Sequence, residues 1–314
     1  MISISGKDYP ITLQNILIAA NEHKATDIHI NINDTPRVRA DGKLLRITDE
    51  KISAKQCQAL LDEIFGHDTS KKSELHKEKR IAYSFSRHLI GRYRANISAQ
   101  RGSFGISIRT LAQEPMKYEE LGLPDMPTEF VKNTKGLYVV TGASSTGKST
   151  TLASIIDKIN TEENLHIMAI ENPIEYLHRH KSSIVTQKEI GTDTPSKAEA
   201  LKWSANEDVD VYAVSSLEEN IIQQILNIAE NKPVYAIMGE KNYANMVKTL
   251  VENVRKNESE KIENARKRVA NALGGAILQE RRLNKISFTV YLNNTQETKE
   301  FIQTGKYEEG GCED

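Results

Sequence analysis

The sequence predicts an α/β protein of two domains, a small α+β half followed by a half built on a mainly parallel sheet. Three observations carry this. The chain has 314 residues, more than one core of ordinary size holds. In its second half, short apolar runs alternate with helix-patterned stretches, as in a parallel sheet covered by helices. One of those runs leads into Gly142-Ala143-Ser144-Ser145-Thr146-Gly147-Lys148-Ser149, a G-x-x-x-x-G-K-S loop of the kind that joins a strand to a helix.

In the first half, Leu13, Ile16, Leu17 and Ala20 fall at helical spacing, which predicts an amphipathic helix. Residues 27–31 alternate as a strand. Residues 36–40 and 43–47 flank Asp41-Gly42, a pair that tolerates the positive φ of a tight hairpin turn. Cys57, Leu60, Leu61 and Ile64 mark a second helix, and the charged residues 71–79 read as a solvated turn or short helix. Strands are expected at 81–86, 92–99 and 104–110. Pro115, Gly122, Pro124 and Pro127 then cluster as in a linker.

In the second half, residues 137–141 are a β-prone run, and Leu152, Ile155, Ile156 and Ile159 form a helix stripe after the loop. Residues 167–170, 209–214 and 234–238 read as three buried strands. Ile221, Ile222, Ile225 and Leu226 place a helix between the last two. Residues 262–278 read as another helix and 286–292 as a late strand. The expected division is a domain at 1–111, a linker at 112–135, a second domain at 136–300 and a polar tail at 301–314, loose from Gly305.

Composition narrows the function. Lys and Arg total 42 against 43 Asp and Glu, without the basic excess of a nucleic-acid binder, so no nucleic-acid partner is expected. No run of apolar residues reaches the length of a membrane span, and residues 1–10 lack the apolar core of a signal peptide. Cys57 and Cys312, the two cysteines, offer no metal spacing and read as free thiols in a reducing cytoplasm.

The glycines of the loop let its backbone curl so that N–H groups point inward at phosphate oxygens, and the following helix adds its positive end. In that pattern Lys148 reaches the β- and γ-phosphates and Ser149 ligates Mg²⁺. ATP and Mg²⁺ are therefore the expected ligands, with Gly142, Ala143, Ser144, Ser145, Thr146, Gly147, Lys148 and Ser149 as the binding residues. Hydrolysis needs more: a carboxylate after a neighbouring strand to hold the metal, and a group to orient water. No acid directly follows the strand at 211–214, since Ser215-Ser216-Leu217 stands there. Asp208 and Asp210 lie at its wrong end. Glu218 and Glu219 come late, and their position suits either a helix N-terminus or a displaced metal ligand. Glu171 and Glu175 follow the strand at 167–170, where each suits a base or a surface acid.

Several motifs together resemble the secretion ATPases that drive type IV pili and type II and type IV secretion, the pilus-retraction branch above all. These are Thr26-Asp27-Ile28-His29-Ile30, Arg37-Val38-Arg39-Ala40-Asp41-Gly42, Gly91-Arg92-Tyr93-Arg94-Ala95-Asn96, Glu119-Glu120-Leu121-Gly122-Leu123-Pro124 and the phosphate loop continued through Thr150. Ile170-Glu171-Asn172-Pro173-Ile174-Glu175-Tyr176 and Val185-Thr186-Gln187-Lys188-Glu189-Ile190 complete the set. The resemblance implies a PAS-like N-terminal domain joined to a RecA-like P-loop domain. It also implies a homo-hexameric ring at the cytoplasmic side of the inner membrane, with an inner-membrane platform protein and sibling motor ATPases as partners. By resemblance, Thr150 joins the ATP-binding residues, Glu175 is the water-activating glutamate, and Arg92, Arg94 and Arg109 approach the phosphates to offset developing charge.

The departures from the family pattern are as informative. The family's metal-site glutamate falls on Ser216, its acidic-box aspartate on Asn172, and its two histidines on Pro233 and Glu240. Losing a transition-state group costs about a hundredfold or more, so slow or absent turnover is expected. The sequence thus predicts an ATP-binding motor-family protein that couples nucleotide binding, with weak hydrolysis, to domain movement. The alternatives are a hydrolysis-dead regulatory or scaffold subunit and a motor whose metal site is rebuilt on Glu218 or Glu219.

Overall fold

A computed structural model describes residues 1–111, 114–123, 132, 135–258, 261–282, 285–293 and 295–309. Pro124, Pro127 and Cys312, named above, lie outside the described residues. The chain divides into two compact units, Met1–Gln113 and Glu114–Asp314.

The first unit opens with a short antiparallel pair, β1 (Ile2–Ile4) and β2 (Lys7–Tyr9), that no sequence pattern announced. Helix α1 (Leu13–Glu22) starts where the Thr12 side chain accepts from Asn15 N, and it buries Leu13, Ile16, Leu17 and Ala20. Helix α2 (Ala54–Phe65) begins with a capping box in which Ser53 and Gln56 satisfy each other's backbone N–H. The charged stretch after it is helix α3 (Thr69–Glu78). These helices share one core with a six-stranded sheet of order β5-β4-β3-β8-β7-β6. Its strands are β3 (Asp27–Ile30), β4 (Arg37–Ala40), β5 (Lys43–Arg46), β6 (Arg80–Arg87), β7 (Gly91–Gln100) and β8 (Ser103–Leu111). The β4–β5 turn has Asp41 at φ 47 and Gly42 at φ 77, the doubly positive turn that an Asp-Gly pair favours.

Alternation sorts this sheet into two faces. Val38, Ile28, Ile108 and Ala95 are registered neighbours across four strands and face the core. One residue along, Arg39, Asp27, Arg109 and Arg94 are registered neighbours on the opposite face. Cys57 is a free, buried thiol whose pKa burial raises.

The second unit carries a seven-stranded sheet of order β11-β10-β12-β13-β9-β14-β15. Its strands are β9 (Gly136–Thr141), β10 (His166–Glu171), β11 (Ile184–Glu189), β12 (Val211–Val214), β13 (Pro233–Ile237), β14 (Leu273–Arg282) and β15 (Lys285–Leu292). All neighbours pair in parallel except β14 with β15. Helix α4 (Lys148–Glu162) covers one face through Leu152, Ile155, Ile156 and Ile159. The other face is covered by α5 (Lys197–Ser204), α6 (Ile222–Ala229), α7 (Tyr243–Glu258), α8 (Ile262–Ala272) and α9 (Gln296–Gln303). Parallel strands put the carboxyl ends of β9, β10, β12 and β13 on one edge, where ligands bind in open α/β sheets.

Two expectations are corrected here. Residues 262–278 are not one helix: α8 stops at Ala272 and the chain continues as β14. Gly274 and Gly275 explain the change, because glycine weakens a helix and Gly274 lies so close to Tyr138 that a Cβ would stand 2.7 Å from its ring. The stretch from Gly305 is not loose through its first residues. Ile302 and Tyr307 are buried in the core beside α7 and α8, and Tyr307 OH accepts from Arg266 Nε at 3.2 Å. Helices α5 and α7 and strand β11 were not assigned from sequence.

Candidate functional site

The loop after β9 has the expected curl. Gly142 takes φ 147, Ser145 φ 63 and Gly147 φ 100. A Cβ at Gly142 would stand 2.2 Å from the Gln279 carbonyl oxygen, so only glycine fits. The Lys148 ammonium turns back into the curl and donates to Gly142 O at 2.9 Å and Ala143 O at 2.6 Å. Burial lowers its pKa, a cost that an anion in the loop would offset. Ser149 and Thr150 begin α4, and both hydroxyls meet the segment after β10. Ser149 Oγ donates to Glu175 Oε1 at 3.1 Å, and Thr150 Oγ1 lies 2.7 Å from Tyr176 OH.

That segment is laced to its neighbours. Gln187, on β11, donates to Glu171 Oε1 at 2.9 Å and Tyr176 O at 2.8 Å, and it accepts from His178 N. Asn172 N donates to Ser215 Oγ at 3.2 Å, and Ile174 N to the buried Glu189 carboxylate at 3.2 Å. A small cavity beside Ser149 is lined by Glu171, Glu175, His178 and Ser215 among others. His178 Nδ1 is buried there without a hydrogen-bond partner. Burial, opposed by Asp157, pushes the His178 pKa down to about 4, so the ring is neutral near pH 7.

The end of β12 is arranged differently. Lys197, only 3% exposed, reaches up from α5. Its ammonium donates to Ser216 Oγ, to Ser216 O at 3.2 Å and to Glu218 Oε1 at 2.5 Å. Helix α5 packs on the sheet face opposite α4, so these groups gather on the side away from Ser149. Glu219 Oε1 lies 3.8 Å from Lys256 Nζ. A metal site rebuilt on Glu218 is therefore not what the geometry offers, since Lys197 holds that carboxylate. Glu240, at one of the two positions where the resemblance expects a histidine, accepts from Thr249 Oγ1 at 3.0 Å through its side chain and from Thr141 Oγ1 at 2.8 Å through its carbonyl.

Sequence reasoning missed five residues at the loop. Ala143, Ser144, Ser145 and Thr146 border a cavity of about 520 Å³ that is also lined by Lys241, Gln279, Glu280, Arg281 and Arg282. Gln279 braces the loop: its amide donates to Thr146 O at 2.7 Å and accepts from Thr151 Oγ1 at 2.9 Å. No local signal marks these residues, four of which lie on β14 just beyond the stretch expected as helix. The arginines named by resemblance lie in the first unit. Arg94 and Arg109 are direct cross-strand partners, Arg109 Nε lies 3.1 Å from Asp27 Oδ1, and Arg92 donates to Ser86 Oγ at 3.5 Å.

With this geometry in view, residues 7–214 match the family described as Type II/IV secretion system protein. The chain belongs to that family. It is 32% identical over 219 residues to the type IV pilus retraction ATPase PilT of Pseudomonas aeruginosa, covering 69% of this chain and 63% of PilT. It is 30% identical over 196 residues to PilU of the same organism, covering 62% of this chain and 51% of PilU. The match thus spans less than two thirds of either relative's length. A longer match, 27% identical over 302 residues, covers 94% of this chain and 90% of the uncharacterized protein YggR of Escherichia coli. A crystal structure of the retraction motor PilT with bound ADP superposes with a TM-score of 0.87 at 31% identity, over 96% of this chain and 88% of that one. The ATPase DotB of Legionella pneumophila shares the fold, with a TM-score of 0.80 at 24% identity over 96% of this chain and 89% of that one. The architecture expected from sequence, an α+β unit followed by a P-loop unit with a mainly parallel sheet, is that of this secretion-system family.

Proposed function

We propose that this chain is an ATP- and Mg²⁺-binding motor-family subunit that couples nucleotide binding, with weak hydrolysis, to domain movement in pilus retraction or secretion. One observation carries the reading: the loop is complete, with Lys148 inside its curl and Ser149 within hydrogen-bond reach of Glu175. The residues fit the nucleotide. The Gly142 cradle excludes any Cβ, and Lys148 has only carbonyl oxygens to give up when phosphate oxygens arrive. They also fit the metal, since hydroxyl and carboxylate oxygens are the hard donors Mg²⁺ takes, with phosphates and waters completing its shell. Bound there, the cation would neutralise phosphate charge.

The chain's own residues do the rest. Gly142, Ala143, Ser144, Ser145, Thr146 and Gly147 present backbone N–H groups, Lys148 pairs with the terminal phosphates, and Thr150 holds the loop helix against Tyr176. Glu175 is the carboxylate placed to orient water. Arg92, Arg94 and Arg109 supply cationic charge to the phosphates, their family role, and the pairing of Arg94 with Arg109 supports a shared task. The domains we assign are 1–111, PAS-like, and 136–300, RecA-like, acting in a homo-hexameric ring beside an inner-membrane platform protein and sibling motor ATPases. Because Lys197 takes up the end of β12, turnover is slow. A nucleotide-gated, hydrolysis-dead regulatory subunit is the second reading this same observation favours.

The test is Mg²⁺-dependent ATP binding and hydrolysis on purified protein, at concentrations that allow ring assembly, beside Lys148→Ala. The expected result is ATP binding by the parent that falls about a hundredfold in the variant, with slow turnover that the variant lacks. Equal ATP binding by parent and Lys148→Ala would overturn the reading. Binding without turnover would select the regulatory one.

A further inference from the structure

The second unit begins at Glu114, and residues 114–121 lie as a strap across the two elements that build the loop site. We propose that this strap carries occupancy of the loop into the linker: it is closed while Ser149 donates to Glu175 and opens when a nucleotide's phosphates and cation take Ser149. The inference rests on the reading of the loop as a nucleotide site and goes beyond it in naming the segment that passes the signal on.

One side of α4 carries the first anchor. Thr150, Ser154 and Lys158 recur every fourth residue, so they line up along the helix. Thr150 meets Tyr176 at the site. The buried Ser154 hydroxyl donates to Met116 O at 2.5 Å. Lys158 Nζ lies 3.1 Å from Glu119 Oε1 and 5.3 Å from the centre of the Tyr118 ring. The strap ends in a 3₁₀ turn, Tyr118–Leu121, in which Glu120 N donates to Lys117 O at 3.0 Å. Beyond it Leu123 packs onto the core beneath α4.

The second anchor stands on the other wall of the site. Arg179 Nε lies 3.2 Å from Glu114 Oε1, and Arg179 belongs to the segment after β10 that carries Glu175 and Tyr176. The strap therefore spans the same two elements that the Ser149–Glu175 hydrogen bond joins at 3.1 Å, and its anchors fit the spacing that this bond sets. Phosphates and a cation at Ser149 must share or break the bond, which shifts the segment against α4 and pulls one anchor away from the other. The Arg179–Glu114 pair yields first, because it is exposed and screened by water, whereas the Ser154 bond is buried. Linkage makes the effect reciprocal: a nucleotide that opens the strap is bound more weakly while the strap is closed.

The experiment follows amide hydrogen exchange of residues 114–121 by mass spectrometry, with and without saturating ADP in Mg²⁺, on the full chain. Calorimetry measures ADP affinity for the parent, the double variant Glu114→Ala/Glu119→Ala, Glu162→Ala and Lys148→Ala. The Glu114 and Glu119 side chains are 62% and 69% exposed, so the double variant should fold. Glu162 pairs with the same Lys158 at 2.9 Å from within α4, so its variant is the control that leaves the strap in place. The expected result is that ADP speeds exchange of residues 114–121 in the parent. The double variant should bind ADP about fivefold more tightly than the parent, and Glu162→Ala as the parent does. Exchange that ADP leaves unchanged or slows would overturn the proposal, as would unchanged or weaker ADP affinity in the double variant or an equal gain in Glu162→Ala. Failure of the nucleotide reading looks different: no ADP binding by the parent, or binding that Lys148→Ala leaves intact, and it removes this proposal too.

Discussion

Two neighbouring strands, β10 and β12, end on the same edge of one sheet, and they treat charge in opposite ways. After β10 the chain sends Glu175 toward the hydroxyl that opens the loop helix, beside a neutral imidazole. After β12 a buried ammonium from α5 takes both Ser216 and Glu218. The register pairs Ile170 with Val214, so the difference is not one of position along the sheet. It comes from which layer each segment faces. Ala169 and Ala213 lie on the α4 side, and Ile170 and Val214 on the α5 side. The β10 segment leans to the loop helix, and the β12 segment leans to a lysine. The comparison teaches that losing one acid from a P-loop site does not free its neighbours to replace it, because a basic side chain from the opposite layer already holds them.

The largest effect that sharpens this contrast is on stability in acid. The His178 pKa is depressed from 6.5 to about 4 in the folded chain, so the unfolded chain binds that proton first as the pH falls. Its contribution is complete above about pH 6.5, is lost as the pH drops toward 4, and amounts to about 3 kcal/mol over that window. Denaturant unfolding of the parent at pH 7 and pH 4.5 should show that loss, and His178→Leu should show a correspondingly smaller one. An identical loss in both proteins would mean that the cavity admits the proton without cost.

The β12 end should break in the other direction. Glu218→Ala leaves the Lys197 ammonium buried with only the neutral oxygens of Ser216. Half of the Glu218 side chain is exposed, so the cost is discounted to about 2 kcal/mol, below that of a fully buried pair. Lys197→Met removes the buried charge itself and should cost under about 1 kcal/mol. Thermal unfolding of the two variants checks the order, and a larger loss for Lys197→Met would mean that the lysine stabilises more than it strains.

Part of this was legible from sequence. The loop declares itself because its glycines, lysine and serine are consecutive and their chemistry is local. The Asp41-Gly42 hairpin is legible for the same reason. Glu175 could be named from a motif, but its contact with Ser149 spans a separation of 26 residues. The Gln279 brace joins groups separated by 128 and 133 residues, and no periodicity reports a single buried amide. Residues 273–282 hid their strand because Ala276, Ile277 and Leu278 are buried on both faces, which leaves neither alternation nor helical spacing to read. Lys197 was hidden for a related reason. A lysine in a short, weakly patterned helix reads as solvent-facing, and only the folded layers bring it to Ser216.

The smallest effect bears most directly on where the proposed cation would sit. Glu219 and Lys256 are 3.8 Å apart with side chains 56% and 58% exposed, so water screens them and the pair is worth less than about 0.5 kcal/mol. Glu219→Gln should leave the unfolding midpoint almost where it is. Because Glu219 belongs to the β12 end, the variant should also keep the parent's ADP affinity in Mg²⁺ and in EDTA alike. Calorimetry in the two buffers reads this directly. If the metal-dependent gain shrank in Glu219→Gln while stability held, a carboxylate beyond β12 would be reaching the cation after all. The contrast between the two strand ends would then be one of distance rather than of charge.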